Sequence, residues 1–85
     1  MQLKLTWRIS EQNREFDLLV SDEQKIAETL AVLKEKGLVQ EETADVVQYV
    51  RSLRTNRQIP VLLTYKEGNI YAGDILQIGT EEEEE

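Results

Sequence analysis

The sequence predicts a single α+β domain in which a mixed sheet of four to five strands packs on one main helix. Three observations support this prediction. Residues 1–9 alternate between apolar and polar side chains, residues 22–36 carry apolar side chains at helical spacing, and residues 75–78 form a further short alternating segment. A chain of 85 residues is enough for one domain with a thin core, so we expect no second domain.

Two strands joined by a short turn are predicted at the start of the chain. Residues 1–9 place all their apolar side chains on one face, as a strand buried on one side does. These apolar residues are Met1, Leu3, Leu5, Trp7 and Ile9. Residues 15–20 also alternate, with Leu19 on the otherwise polar face. The polar segment 10–14 between them predicts a hairpin turn.

A helix is predicted over residues 22–36. Ser21, followed three residues later by Gln24, matches the capping box of a helix start. The apolar stripe of this helix consists of Ile26, Leu30 and Leu33. Gly37, followed by an apolar residue, is typical of a helix end.

Residues 46–54 fit both a strand and a helix, and we favour the strand. Their Val and Tyr content is typical of strands, and the turn 55–57 leads into a short extended segment at 58–60. Pro60 suits a strand end or a sheet edge because it cannot donate a backbone hydrogen bond. The polar segment Gln40–Asp45 before them is predicted to be a loop.

The last strand is predicted at residues 75–78, after turns at Gly68–Asn69 and Tyr71–Asp74. Leu76 and Ile78 should point into the core, and Ile75 and Gln77 outward. We expect this strand to lie beside the first strand and parallel to it, in the middle of the sheet.

Composition narrows the possible functions. The chain has no cysteine and no histidine, which removes thiolate chemistry and the commonest general base and metal ligand. We identify no catalytic residue, metal ligand or cofactor site, and expect no enzyme. The segment Met1–Ile9 is already a strand rather than a targeting peptide, and no apolar run is long enough for a membrane span. A cytoplasmic protein without membrane insertion is therefore predicted.

Charge is concentrated at one end of the sequence. The net charge is −7, but five of the acidic residues form the run Glu81–Glu85. The rest of the chain has ten basic and twelve acidic residues, which gives −2. Binding of nucleic acid driven by overall charge is disfavoured. The acids Glu41, Glu42 and Asp45 lack the spacing of a calcium loop, so we read them as a solvated loop.

Four residues are candidates for contact with a protein partner. Leu19 and Ile75 should point outward from the open face of the sheet and could serve as apolar anchors. Arg51 and Arg54 could add basic contacts on that face, together with basic residues of the first strand. Strand alternation puts Arg51 and Arg54 on opposite faces, so at most part of this basic set can act together.

Three features together resemble the ubiquitin-like β-grasp family. They are the order of elements, the turn at residues 54–59 and the segment at residues 68–78, which reads Gly-Asn-Ile-Tyr-Ala-Gly-Asp-Ile-Leu-Gln-Ile. The resemblance covers residues 1–79 as one domain, and residues 80–85 are then an acidic disordered tail. Within that family, the chain is most similar to the small bacterial proteins of the YukD/EsaB type. This implies a non-catalytic accessory protein that binds a bacterial assembly such as type VII secretion machinery. We expect the protein to be a monomer.

Two alternatives remain open. The first is a ubiquitin-like modifier or sulfur carrier, which in this family presents a Gly-Gly end. Here Ile78 is followed by Gly79, Thr80 and the glutamate run, which argues against it. The second is a regulatory module that binds RNA through a basic sheet face. The acidic net charge of the chain argues against it.

Overall fold

The computed structural model describes residues 1–10 and 13–78, so the predicted boundary at residue 79 and the acidic tail lie outside the described residues. Within these ranges the chain forms five strands and two helices. They are β1 (Gln2–Ile9), β2 (Arg14–Ser21), α1 (Ile26–Glu35), α2 (Glu41–Val46), β3 (Tyr49–Ser52), β4 (Arg57–Pro60) and β5 (Ile75–Ile78).

The strands form one mixed sheet in the order β2-β1-β5-β3-β4. Strands β1 and β2 are an antiparallel hairpin, and β3 is antiparallel to both β4 and β5. Strands β1 and β5 are parallel, with Trp7 opposite Leu76. The predicted placement of the first and last strands is therefore confirmed, as is the α+β class. Strands β2 and β4 are the two edges of this sheet.

The core lies between one face of the sheet and α1. The alternating apolar residues of β1 from Leu3 to Ile9 are each at most 4% exposed, and Trp7 is fully buried. Leu76 and Ile78 of β5 point to the same side and are also buried. The strand period therefore predicts the buried face of both central strands correctly, because every second side chain of a strand points to the same side.

The start of α1 differs from the prediction. The helix begins at Ile26, and Ser21 ends β2 instead of capping the helix. The Ser21 hydroxyl accepts a hydrogen bond from the Glu23 backbone N–H at 3.2 Å, within a turn. The first helical N–H groups bond to the chain after β4: Ile26 donates to the Leu63 carbonyl, at 3.0 Å. Tertiary backbone contacts thus replace the predicted side-chain cap.

The predicted loop at Gln40–Asp45 is wrong, because residues Glu41–Val46 form the short helix α2. Its two leading glutamates lie in the first turn, where the helix dipole favours negative charge. Asp45 accepts a hydrogen bond from Lys34 Nζ at 2.9 Å, which ties α2 to α1 and raises the pKa of Lys34. The segment 46–54 therefore contains the end of a helix followed by the strand β3, and the strand preference is right for Tyr49–Ser52.

Tyr65 is a fully buried tyrosine with a paired hydroxyl. Its hydroxyl donates a hydrogen bond to Thr29 Oγ1 of α1, at 2.6 Å. Burial raises the pKa of Tyr65 to about 12, and the contacts with Thr29 and with the indole N–H of Trp7 only partly oppose this rise. The indole N–H itself does not reach hydrogen-bond geometry with any described residue. The folded protein therefore holds the Tyr65 proton more tightly than the unfolded chain does.

Stability is expected to fall as the pH rises above 10. Between pH 10 and about 12 the unfolded chain has lost the Tyr65 proton and the folded protein has not, so proton release favours unfolding. The free energy of unfolding should fall by about 2 to 3 kcal/mol over this pH range. Urea unfolding across this range measures it, with Tyr65→Phe as the control because it has no proton to release. An equally steep loss in the Phe variant would contradict this assignment.

Candidate functional site

The face of the sheet that points away from α1 is mostly polar and internally paired. Thr6 Oγ1 donates to Asp17 Oδ1 at 2.8 Å, across β1 and β2. Arg8 Nε donates to Glu15 Oε2, also at 2.8 Å. These pairs satisfy much of the polar surface of the hairpin. The middle of this face is therefore polar and does not provide an apolar surface for a partner.

The two predicted apolar anchors point to this face but do not meet. Leu19 is 63% exposed on β2, opposite Lys4 of β1. Ile75 is half-buried on β5, opposite Thr6. Since β1 lies between β2 and β5, the polar Thr6 and Lys4 separate the two apolar side chains. They do not form one patch.

The two predicted arginines also lie apart. Arg51 is on β3 and donates through Nε to Asn56 Oδ1 at 3.1 Å. Arg54 follows β3 and donates to the Asn69 carbonyl at 3.2 Å, with its Nε 3.9 Å from Asp74 Oδ2. The guanidinium of Arg54 also lies over the ring of Tyr71, 5.2 Å from its centroid. Arg54 therefore has intramolecular contacts that join the β3–β4 turn to the segment before β5.

An apolar groove runs between β2 and α1, and sequence reasoning missed it. It encloses about 170 Å³. Its lining residues are Leu18, Leu19, Val20, Gln24, Thr29, Val32, Leu33, Lys36 and Leu38. Leu19 and Val32 are the most exposed of its apolar residues, at 63% and 43%. Val32 lies off the main helical stripe, and this exposed valine is the signal that could have located the groove.

The groove lies beside the free edge of the sheet. Strand β2 is eight residues long, and among the described residues no strand pairs with its outer side. Such an edge presents backbone N–H and carbonyl groups to an incoming strand. Lys36 stands at the rim, and no carboxylate of the described residues lies within ion-pair distance of it. We refer to β2 and these lining residues together as the β2–α1 groove.

The acidic residues that the sequence places in a solvated loop belong to the short helix α2. Glu41 and Glu42 lie in the first turn of α2, and Asp45 bonds to Lys34. In the described part of the chain, no three acidic residues come together as a metal site would require. No helix there is long and apolar enough to cross a bilayer.

Comparison with known proteins identifies the fold. No family model and no curated protein matches the chain. Among solved structures, a protein designed de novo on the basis of ubiquitin is similar, with a TM-score of 0.69 and 26% identity, over 98% of this chain and 93% of the other. The C-terminal ubiquitin-like domain of mouse tubulin-specific chaperone E matches with a TM-score of 0.66 and 16% identity, over 92% and 84%.

A bacterial domain is also similar. The ubiquitin-like domain of EccD5 from Mycobacterium xenopi has a TM-score of 0.59 and 16% identity, and the match covers 93% of each chain. At such identities the likeness concerns the fold. The chain therefore has the ubiquitin-like β-grasp fold, as its element order and its C-terminal phrase predict.

Proposed function

We propose that this domain is a non-catalytic protein-interaction module that binds an extended segment of a partner protein along β2 and in the β2–α1 groove. The observation that carries the proposal is the free eight-residue edge beside an apolar groove. An added strand gains main-chain hydrogen bonds from the edge, and its alternate side chains enter the groove. Leu19 is the anchor on the other face of this edge: its exposed side chain points away from α1, and the remaining side chains of the added strand would cover it.

The partner segment should carry apolar side chains and at least one carboxylate. Leu19 and Val32 supply apolar contact, and Lys36 supplies a cation at the rim. A carboxylate beside Lys36 would add a charge-assisted contact and orient the segment. Ile75, Arg51 and Arg54 do not line the groove, and the proposal does not depend on them.

We further propose that the partner belongs to a bacterial assembly in the cytoplasm, such as a type VII secretion system. The support is the resemblance of the sequence to YukD/EsaB-type proteins. The fold shared with the EccD5 domain agrees with this proposal, although a shared fold by itself does not transfer function.

The two alternatives have less support. In a modifier or sulfur carrier of this fold a Gly-Gly pair follows the last strand, whereas here Ile78 is followed by Gly79, Thr80 and glutamates. RNA binding needs a continuous basic surface. Arg51 and Arg54 would have to supply it, but Arg51 bonds to Asn56 in the β3–β4 turn and Arg54 bonds to Asn69 in the segment before β5.

Capture from native lysate of the source organism, with ATP present, distinguishes binding from conjugation. A tagged full chain should retain partners under native conditions and lose all of them on a denaturing gel, because the proposed contacts are non-covalent. Treatment with ribonuclease should not change the retained set.

Two outcomes would overturn the proposal. Partner bands that gain about one domain mass and survive denaturation would indicate covalent attachment. Partners that disappear after ribonuclease treatment would indicate an RNA-binding module.

A further inference from the structure

The backbone groups on the outer edge of β2 can be assigned residue by residue. The Asp22 N–H donates to the Met1 carbonyl at 2.9 Å, in register with the β1–β2 ladder. Because alternate residues of an antiparallel strand bond to the same neighbour, the even-numbered residues of β2 bond to β1. The Ser21 carbonyl already accepts from the Gln24 N–H at 3.0 Å. The residues that turn backbone groups outward are Glu15, Asp17, Leu19 and Ser21.

The side chains of β2 leave apolar surface open on both faces of the sheet. Phe16 and Leu18 point towards α1 and pack against the core, yet both are only half-buried. On the opposite face, Leu19 is 63% exposed. A further strand along this edge would therefore cover apolar surface on either side as well as satisfy the backbone groups.

We propose that a second copy of this chain pairs its own β2 with this edge when no partner segment occupies it. The two strands run antiparallel about a two-fold axis that passes through Leu18, perpendicular to the sheet. Both copies then keep α1 on the same side, and the two five-stranded sheets become one continuous sheet. On the α1 side, Leu18 faces Leu18 of the second copy, and Phe16 faces its Val20.

The backbone groups match in this arrangement. Asp17 of each copy lies opposite Leu19 of the other, and these outward-facing residues exchange both of their hydrogen bonds. The Ser21 N–H of each copy reaches the Glu15 carbonyl of the other. The pairing therefore gains about six main-chain hydrogen bonds and leaves the occupied Ser21 carbonyl undisturbed.

The charges on the strand select this register over its neighbours. Moving the axis back by one residue would place Asp17 opposite Asp17, and like charges directly opposite each other are destabilising. Moving it forward by one residue would place Glu15 opposite Glu23 and would form fewer hydrogen bonds. The proposed axis instead brings Arg14 of each copy opposite Asp22 of the other, so opposite charges meet at both ends.

The dimer is weak and depends on concentration. One eight-residue strand per copy covers less than the roughly 1,600 Å² of a standard stable interface. The monomer that the sequence predicts therefore prevails in dilute solution, and the dimer forms as the concentration rises. A second copy and a partner segment compete for one edge, so the dimer keeps the edge closed until a partner displaces the copy. The pairing involves this chain alone, so it can fail while the proposed function holds.

The first test measures the average mass of the full chain by sedimentation equilibrium, from about 10 µM to about 1 mM. We expect the mass to rise from 9.9 kDa towards twice that value. Leu19→Asp should raise the dissociation constant of the dimer at least about tenfold, because it places a carboxylate opposite Asp17 of the second copy. Leu62→Asp, beyond the other edge of the sheet, should behave as wild type.

A lysine at the same position makes this test specific for the register. Leu19→Lys places an ammonium group opposite Asp17 of the second copy and should lower the dissociation constant about threefold. An edge lysine ordinarily opposes strand pairing. A stronger dimer in this variant therefore depends on the proposed alignment.

The second test uses the absence of cysteine from the chain. Leu18→Cys places a thiol of each copy on the two-fold axis. Partners of this kind have Cα atoms about 4.5 Å apart, which a disulfide can bridge. Oxidation with diamide should therefore link this variant into a dimer on a non-reducing gel. Glu15→Cys lies on the same strand but opposite Ser21 of the second copy, so it should link far less.

Three results would overturn the proposal. They are a mass that stays at 9.9 kDa over the whole concentration range, equal effects of Leu19→Asp and Leu19→Lys, and equal linkage of the two cysteine variants. Circular dichroism of each variant confirms that the comparison is made between folded proteins.

Discussion

Replacing Asp74 by alanine is expected to lower the free energy of unfolding by about 3 to 5 kcal/mol. Its side chain is fully buried, and its two oxygens accept several hydrogen bonds. Ser52 Oγ donates at 2.6 Å and the Ile75 backbone N–H at 2.7 Å. The Arg54 backbone N–H donates at 3.3 Å. Alanine would leave these buried donors without an acceptor, next to the guanidinium of Arg54.

The effect is large because Asp74 joins separate parts of the sheet. Its side chain binds the end of β3 and the start of β5, and its backbone carbonyl accepts from the Thr6 N–H of β1 at 3.1 Å. For a domain of this size, such a loss is a large part of the total stability. The Asp74→Ala protein should therefore unfold at a much lower urea concentration or fail to fold at ordinary temperature.

Two further variants distinguish the effect of losing the hydrogen bonds of the carboxylate from the effect of losing its volume. Asp74→Asn keeps one acceptor oxygen and should lose less than the alanine variant. Ser52→Ala removes one donor to the carboxylate and should cost about 1 to 2 kcal/mol. Urea unfolding of the three variants gives the comparison. A loss below about 1 kcal/mol for Asp74→Ala would contradict the role assigned to these hydrogen bonds.

The strands were predictable because their signal is local. In β1 and β5, the alternation of side chains follows directly from strand geometry, and Trp7 and Leu76 are buried where the pattern puts them. The helix start was not predictable in this way. Ser21 matches a capping box, but backbone contacts with residues 61–63, distant in sequence, begin the helix at Ile26 instead.

The short helix α2 was missed for a related reason. Its sequence is polar and only six residues long, too short for an apolar stripe to show a period. The ion pair between Lys34 and Asp45 that joins it to α1 spans two elements and leaves no pattern along the chain. Asp74 is similar, because the sequence indicates a turn there and gives no sign of the buried hydrogen bonds.

The candidate site was predictable only in part. Strand parity identifies Leu19 as an outward apolar residue, and Leu19 is the residue on which the proposed function now depends. The groove beside this strand is lined by α1 and the residues after it, among them Val32 and Leu38. Tertiary packing decides which face of α1 lies beside β2, and the sequence does not show it. From strand alternation alone, Leu19 was therefore grouped with Ile75.

Leu19→Asp is expected to weaken partner binding by tenfold or more, about 1.4 kcal/mol. The change places a charge at the centre of an apolar contact and lowers the apolar area that a bound segment can cover. Leu19 is 63% exposed in the free protein, so the fold should tolerate the change. Leu62→Asp is the matched control, because Leu62 is 73% exposed and lies two residues after β4, at the other edge of the sheet.

The most direct test of the account is the affinity of a captured partner for three proteins: wild type, Leu19→Asp and Leu62→Asp, measured by calorimetry. If the β2–α1 groove is the binding site, Leu19→Asp loses at least tenfold in affinity and Leu62→Asp stays within about twofold of wild type. If Leu19→Asp binds as tightly as wild type, or if Leu62→Asp is the variant that loses affinity, the partner binds elsewhere and the account is wrong.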